Sequence, residues 1–134
     1  MTKNNNFLES RHSHAYENTE DYLELINDLL NNRGEARIVD IAMQLGIAQA
    51  TANKTIQRLQ KQGYVKKLPY RSIFLTSRGQ MIAYRSKKRH NTVYNFLIKL
   101  GVNKKIAKKD AEGIEHHVSE KTLKKFEKFN YKHK

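Results

Sequence analysis

Residues 40–64 read DIAMQLGIAQATANKTIQRLQKQGY, and residues 65–79 continue VKKLPYRSIFLTSRG. The first stretch carries two apolar rows at helical spacing, separated at Gly46. Ile38, Ile41, Ala42 and Leu45 predict the inner face of one short helix. Ala52, Ile56 and Leu59 predict that of the next, from about Gln49 to Gln62. Gly46 supplies the turn, Ala42 is small enough for two helices to cross closely, and Ile41, Leu45, Ile47 and Ala52 would share a core. Gly63 ends the second helix. Residues 64–67 and 72–75 then read as two short strands around Leu68-Pro69-Tyr70-Arg71, with the single proline in the turn. Helix, glycine turn, helix and basic hairpin is the order of a winged helix-turn-helix.

The second helix of that pair turns Gln49, Thr51, Asn53 and Lys54 outward from its first turn and a half. Gln and Asn can pair two-pronged with adenine, Thr can meet a thymine methyl, and Lys can reach guanine or phosphate. Arg37, Arg58 and the wing residue Arg71 are candidates for phosphate contacts. A three-helix protein-docking domain with polar faces would share the pattern. Composition weighs against it. The 134 residues hold 26 Lys+Arg against 13 Asp+Glu, a net charge of +13, which calls for a polyanionic partner such as double-stranded DNA. The charge is uneven: residues 68–134 carry 17 basic and 5 acidic side chains, and no Asp or Glu lies between Arg71 and Lys109.

Mean hydropathy is −0.81, and no apolar run approaches the roughly 20 residues of a membrane span. The absence of cysteine excludes disulfide frameworks, thiolate zinc sites, iron–sulfur clusters and cysteine nucleophiles. The amino terminus lacks the apolar core of a secretory signal. These features predict a cytoplasmic chain with no membrane partner.

Residues 1–15, polar and aperiodic, predict a loose tail. A helix is expected from Asn18 or Thr19, either of which can cap it, with Leu23, Ile26, Leu29 and Leu30 inward and Gly34 at its end. After the wing, Thr76 can cap a long helix that runs through Met81, Ile82, Tyr84, Val93, Phe96, Leu97 and Leu100 to Gly101. A short helix over Lys104 to Lys108 and a last one capped near Ser119, carrying Leu123, Phe126 and Phe129, complete a mainly α chain.

The acids cluster in two places. Asp21 and Glu24 stand at i and i+3 on the first helix. Glu112, Glu115 and His116 stand at i, i+3 and i+4, on one face if that stretch is helical, and His90 ends the basic run RSKKRH. Like charges on one helix face repel, so such a face often holds a compensating cation. Four carboxylates and two imidazoles without sulfur favour a hard divalent ion such as Mn²⁺. Singly, each of these is an ordinary solvated helix face, and His12, His14 and His133 read as tail residues. His117 lies about 100° around the helix from His116 and reads as a supporting residue. There is no H-E-x-x-H helix, no glycine-rich phosphate loop and no nucleophile elbow, so the sequence predicts no enzyme, with a two-metal hydrolase the weakest of the competing readings.

EDYLELINDLL (20–30), the helix-turn-helix, FLTSRG (74–79), RH (89–90) followed by NFLIKLGV (95–102), and DAEGIEHHVS (110–119) together resemble a manganese-responsive transcriptional regulator of the diphtheria-toxin-repressor family. The resemblance spans roughly residues 16–129. It implies a homodimer with a winged-helix DNA-binding domain over 16–79 and a helical dimerisation and metal-binding domain over 80–134. It implies a two-ion site built from Asp21, Glu24, His90, Glu112, Glu115 and His116, and repression of manganese uptake genes. Iron-type relatives place methionine where Asp21 stands, and they append an SH3-like domain for which this chain has no room. Fe²⁺ remains the competing ion, and metal-independent winged-helix regulation the competing function. Ala48 opens the recognition helix where many relatives have Ser or Pro nearby, which predicts a weak cap.

Overall fold

The computed structural model describes residues 2–69 and 72–134, with side chains from Asn18 onward. Its elements are α1 (Thr2–Arg33), α2 (Ile38–Leu45), α3 (Gln49–Lys61), β1 (Val65–Lys67), β2 (Ile73–Leu75), α4 (Ser77–Lys99), α5 (Lys104–Ile114) and α6 (Glu120–Lys132). The chain divides into two compact units, Met1–Tyr84 and Arg85–Lys134. Among the described residues no helix is long and apolar enough to cross a membrane.

The first unit is a winged helix-turn-helix. Its core is built by Leu23 and Ile26 of α1, Ile41 and Ala42 of α2, Ala52, Ile56 and Leu59 of α3, and Val65, Ile73 and Leu75 of the hairpin. Each large aliphatic side chain so buried contributes about 1.5–3 kcal/mol. Gly46 takes the left-handed conformation (φ 67°), and the Ile47 N–H returns to the Ala42 carbonyl at 3.0 Å, closing α2 as the sequence predicts. Ala48 offers α3 no side-chain cap.

The two strands pair antiparallel, with Val65 opposite Leu75 and Lys67 opposite Ile73. The hairpin is also tied back to the α1–α2 connection. Ile73 N–H donates to the Ala36 carbonyl at 2.8 Å, and the Ala36 N–H donates to the buried Ser72 hydroxyl at 2.6 Å. Thr76 caps α4: its hydroxyl accepts from the Gly79 N–H at 3.2 Å and donates to the Gly63 carbonyl at 2.7 Å.

Three expectations are corrected. α1 begins at Thr2, so residues expected as a loose tail are helical. No proline or glycine interrupts residues 2–33; the missing apolar periodicity bore on packing, not on backbone conformation. Asn18 and Thr19 therefore lie inside a helix and cap nothing. Leu45, expected in the core, is 36% exposed, because it ends α2 and the turn after Gly46 brings Ile47 inward instead. α5, expected to close near Lys108, runs on to Ile114.

In the second unit, Val93 of α4, Ala111 of α5 and Leu123 of α6 form the buried centre, with Leu97, Ile114, Val118 and Phe126 packed against it. Phe96 stacks on Phe126 (centroids 4.0 Å apart) and meets the edge of Phe129 (5.2 Å), fixing α6 on α4. Asn103 caps α5 by accepting from Lys105 N–H at 2.8 Å, and Ser119 caps α6 by accepting from Thr122 N–H at 3.2 Å.

Gly79 has the least room of any glycine. A Cβ there would stand 2.1 Å from the Tyr64 carbonyl oxygen, which is backbone and cannot swing aside. Gly79→Ala should therefore destabilise the protein by about 1–3 kcal/mol, the usual cost of overpacking, read as a lower midpoint in thermal or urea unfolding. An unchanged midpoint would mean that the start of α4 does not press on Tyr64.

Candidate metal centre and nucleic-acid interface

The residues expected to hold metal fall in both units, and each unit is described by itself. Asp21 and Glu24 stand one turn apart on α1 of the first unit, Asp21 exposed and Glu24 half-buried. The second unit brings three of the other four together. Glu115 is 3% exposed. His90 Nδ1 lies 3.4 Å from its Oε2, and His116 Nε2 lies 3.6 Å from its Oε1. His90 in turn stacks beside Tyr94 (6.4 Å between centroids). Glu112 is on the same stretch but exposed.

Local structure explains this arrangement and corrects one expectation. The helical face expected to carry Glu112, Glu115 and His116 is not continuous, since α5 ends at Ile114. Glu115 is its C-cap, still with helical dihedrals (φ −57°, ψ −29°) and with its N–H bonded to Ala111. The chain then tightens, with His117 N–H donating to the Ile114 carbonyl at 3.0 Å. Burial of Ala107 and Ala111 anchors α5 and so holds Glu115 away from water.

Burying a carboxylate is costly unless it is paired or hydrogen-bonded. Among the described residues Glu115 Oε2 has no hydrogen-bond partner. The two nitrogen–oxygen separations are long for hydrogen bonds. They are close to the roughly 3.0–3.5 Å expected between two donors bound at about 2.1 Å to one ion. The donor set of imidazole and carboxylate, with no sulfur, therefore fits a divalent cation. Among the described residues no three or more His, Asp or Glu close on one point as a finished cage; His90, Glu115 and His116 form a pairwise, partial arrangement.

On the nucleic-acid side, α3 exposes Gln49, Thr51 and Lys54 in its first two turns, with Asn53 half-buried. Asn53 Oδ1 accepts from Lys67 Nζ of the wing at 2.9 Å, a link across the two elements that sequence reading missed. Arg37 is half-exposed and meets Glu35 at 3.2 Å, an exposed pair worth little. Arg58 is engaged within the unit. Its Nη1 donates to Thr19 Oγ1 at 3.3 Å and its Nη2 to Asn18 Oδ1 at 3.4 Å, joining α3 to the turn of α1 that precedes Asp21. Arg71 lies outside the described residues. Ser72, which holds the wing to Ala36, was not singled out from sequence because its partner lies 36 residues away.

Comparison with known proteins finds a DNA-binding and a metal-binding family model, in that order along the chain. Residues 14–73 match the family model "Iron dependent repressor, N-terminal DNA binding domain", and residues 76–133 match "Iron dependent repressor, metal binding and dimerisation domain". The chain is 48% identical over 127 residues to the transcriptional regulator MntR of Escherichia coli O6:H1, covering 95% of this chain and 82% of that protein. It is 39% identical over 100 residues to the HTH-type transcriptional regulator MntR of Lysinibacillus sphaericus, covering 75% and 72%. Among solved structures it is similar to the manganese regulator SloR, with a TM-score of 0.73 and 25% identity, over 83% of this chain and 52% of that one. The chain thus spans about half the length of that solved relative.

The buried carboxylate gives a direct test. Glu115→Gln keeps the shape and removes the charge. Wild-type protein should gain thermal stability with Mn²⁺, by about 2.7 kcal/mol at a hundredfold excess over the dissociation constant. Glu115→Gln should lose most of that gain while staying folded without metal. An equal Mn²⁺-induced shift in both would remove Glu115 from the site.

Proposed function

The chain belongs to the iron dependent repressor family, on its MntR side, and we propose that it is a Mn²⁺-dependent DNA-binding transcriptional regulator that represses manganese uptake genes. The observation that carries the reading is the buried Glu115 carboxylate flanked by His90 and His116, in a chain whose other unit is a winged helix with an exposed polar reading face. Asp21, Glu24, His90, Glu112, Glu115 and His116 would hold two ions per subunit. The bound metal would supply positive charge that holds carboxylates and imidazoles from both units together. It acts as an effector, and the chain is a switch with no catalytic step. Two chains would pair through their second units and present two α3 helices to successive major grooves of an operator duplex. Cytoplasmic location follows from that role.

The switch needs only that metal bind one arrangement of the units better than others. Asp21 and Glu24 sit on α1, and Arg58 joins α1 to α3 two and three residues before Asp21. An ion that draws α1 towards the second unit's ligands would therefore carry the reading helix with it. Charge works in the same direction. Two divalent ions would raise the formal balance from +13 to about +17 per chain, favouring phosphate. Oxygen and nitrogen donors, with Asp at position 21, exclude a sulfur-ligated site but suit Mn²⁺ and Fe²⁺ alike; the choice of Mn²⁺ rests on likeness to manganese regulators.

Gel-shift titration against a duplex selected by the protein in Mn²⁺ tests this. Mn²⁺ should tighten binding by roughly 10- to 100-fold, within the usual range of allosteric coupling, and chelator should reverse it. Fe²⁺, Co²⁺ and Zn²⁺ measured alongside rank the ions. Affinity that ignores metal and chelator would refute the switch and leave a metal-independent regulator.

Two substitutions separate the parts. Glu112→Ala should lose metal-dependent binding while keeping the dimer. Lys54→Ala should weaken binding at saturating metal by about 1–3 kcal/mol without moving the metal titration. The reverse pattern would exchange the roles assigned to the two residues.

A further inference from the structure

The second unit, matched to metal binding and dimerisation, carries most of the chain's charge. Within residues 85–134 there are 15 Lys or Arg and 5 Asp or Glu, a net of +10 from fewer than half the residues. Neither metal binding nor pairing of two like-charged chains calls for that excess.

Much of it lies on α6 in a single row. Lys121, Lys124, Lys125, Lys128 and Lys132 follow i, i+3, i+4, i+7 and i+11, which places all five within about 100° of helix arc. All five are exposed, and none forms an ion pair among the described residues. Neighbours at i+3 and i+4 are of like charge and repel. The opposite face of α6 is spent: Leu123 is buried, and Phe126 and Phe129 pack on Phe96 of α4.

The geometry points to this lysine row as a second DNA-contacting surface, one that grips the phosphate backbone and reads no bases. The inference rests on the DNA-binding reading above. The row is about 16 Å long, a length over which duplex DNA presents on the order of ten phosphate charges. Beside it stands a single exposed aromatic, Tyr131, with Lys134 over its ring, and no apolar cluster of the kind that dominates protein interfaces. Its helix has no free apolar face to sink into a bilayer, as a membrane-surface helix needs. A regular line of ammoniums with nothing else on it suits a regular line of phosphates.

The test measures binding of the full chain, saturated with Mn²⁺, to its selected duplex across a salt series. One variant carries Lys121→Gln, Lys124→Gln, Lys125→Gln and Lys128→Gln. A control with the same charge change carries Lys104→Gln, Lys105→Gln, Lys108→Gln and Lys109→Gln on α5. The α6 variant should lower the steepness of log affinity against log salt by at least about 2 and weaken binding about 100-fold near 0.1 M salt, with sequence preference and metal titration unchanged. The α5 control should keep a near-wild-type slope, and Lys→Arg at the four α6 positions should restore it.

Equal losses in both glutamine variants would overturn the inference, since net charge alone would then explain them. So would a wild-type slope in the α6 variant, including the case where the lysines instead drive binding to vesicles rich in anionic lipid. A wild-type chain with no salt-dependent affinity for any duplex would overturn the DNA-binding reading itself, and this surface with it.

Discussion

A carboxylate shut away from water beside two imidazoles is unfavourable until something positive joins it. Glu115 is in that position, held there by a helix whose alanines pack into the core of the second unit. Its nearest partners, the His90 and His116 nitrogens, stand 3.4 and 3.6 Å away, and a buried carboxylate needs positive charge close by, from a protonated imidazole or a cation. In the proposed switch a divalent cation would pair with this carboxylate, and its binding free energy would select among arrangements of the chain.

The first unit is built so that such a selection reaches DNA. Its reading helix is not free to turn on its own: Arg58 ties it to α1, Lys67 ties its Asn53 to the wing, and Ser72 ties the wing to Ala36. Each link is a modest hydrogen bond of roughly 0.5–1.5 kcal/mol net. Together with the shared core they make α1, α3 and the hairpin move as one piece. Asp21 and Glu24 sit on that piece, so in the proposed switch an ion held by them would act on α3 as well as on α1.

Local signals in the sequence carried most of the fold. Gly46, Thr76 and Ser119 close or cap their helices through groups three or four residues away, as their neighbours predict, although Thr76 also donates to the distant Gly63 carbonyl. The apolar rows of α2 and α3 likewise named the core, apart from Leu45 at a helix end. What the sequence did not disclose depends on distant partners. Arg58 reads as a phosphate candidate, and its bond to Thr19, 39 residues back, is not visible in the sequence. Spacing suggests one face for Glu112, Glu115 and His116 if the stretch is helical; Glu112 and Glu115 keep helical geometry and His116 follows the C-cap, but spacing does not tell that Glu112 is exposed and Glu115 buried. The amino-terminal stretch of α1 is helical without an apolar row, because periodicity reports on packing and not on backbone conformation.

The central claim is that Glu115 of the second unit ligates a divalent ion with His90 or His116, and that Asp21 and Glu24 of the first unit also ligate metal. Crystals of the full chain grown with Mn²⁺, with anomalous scattering measured at the manganese edge, test it most directly. The account predicts anomalous peaks within bonding distance of His90 or His116 and of Glu115, and on the Asp21–Glu24 face of α1. Manganese bound elsewhere, with Glu115 still without a cation, would contradict it.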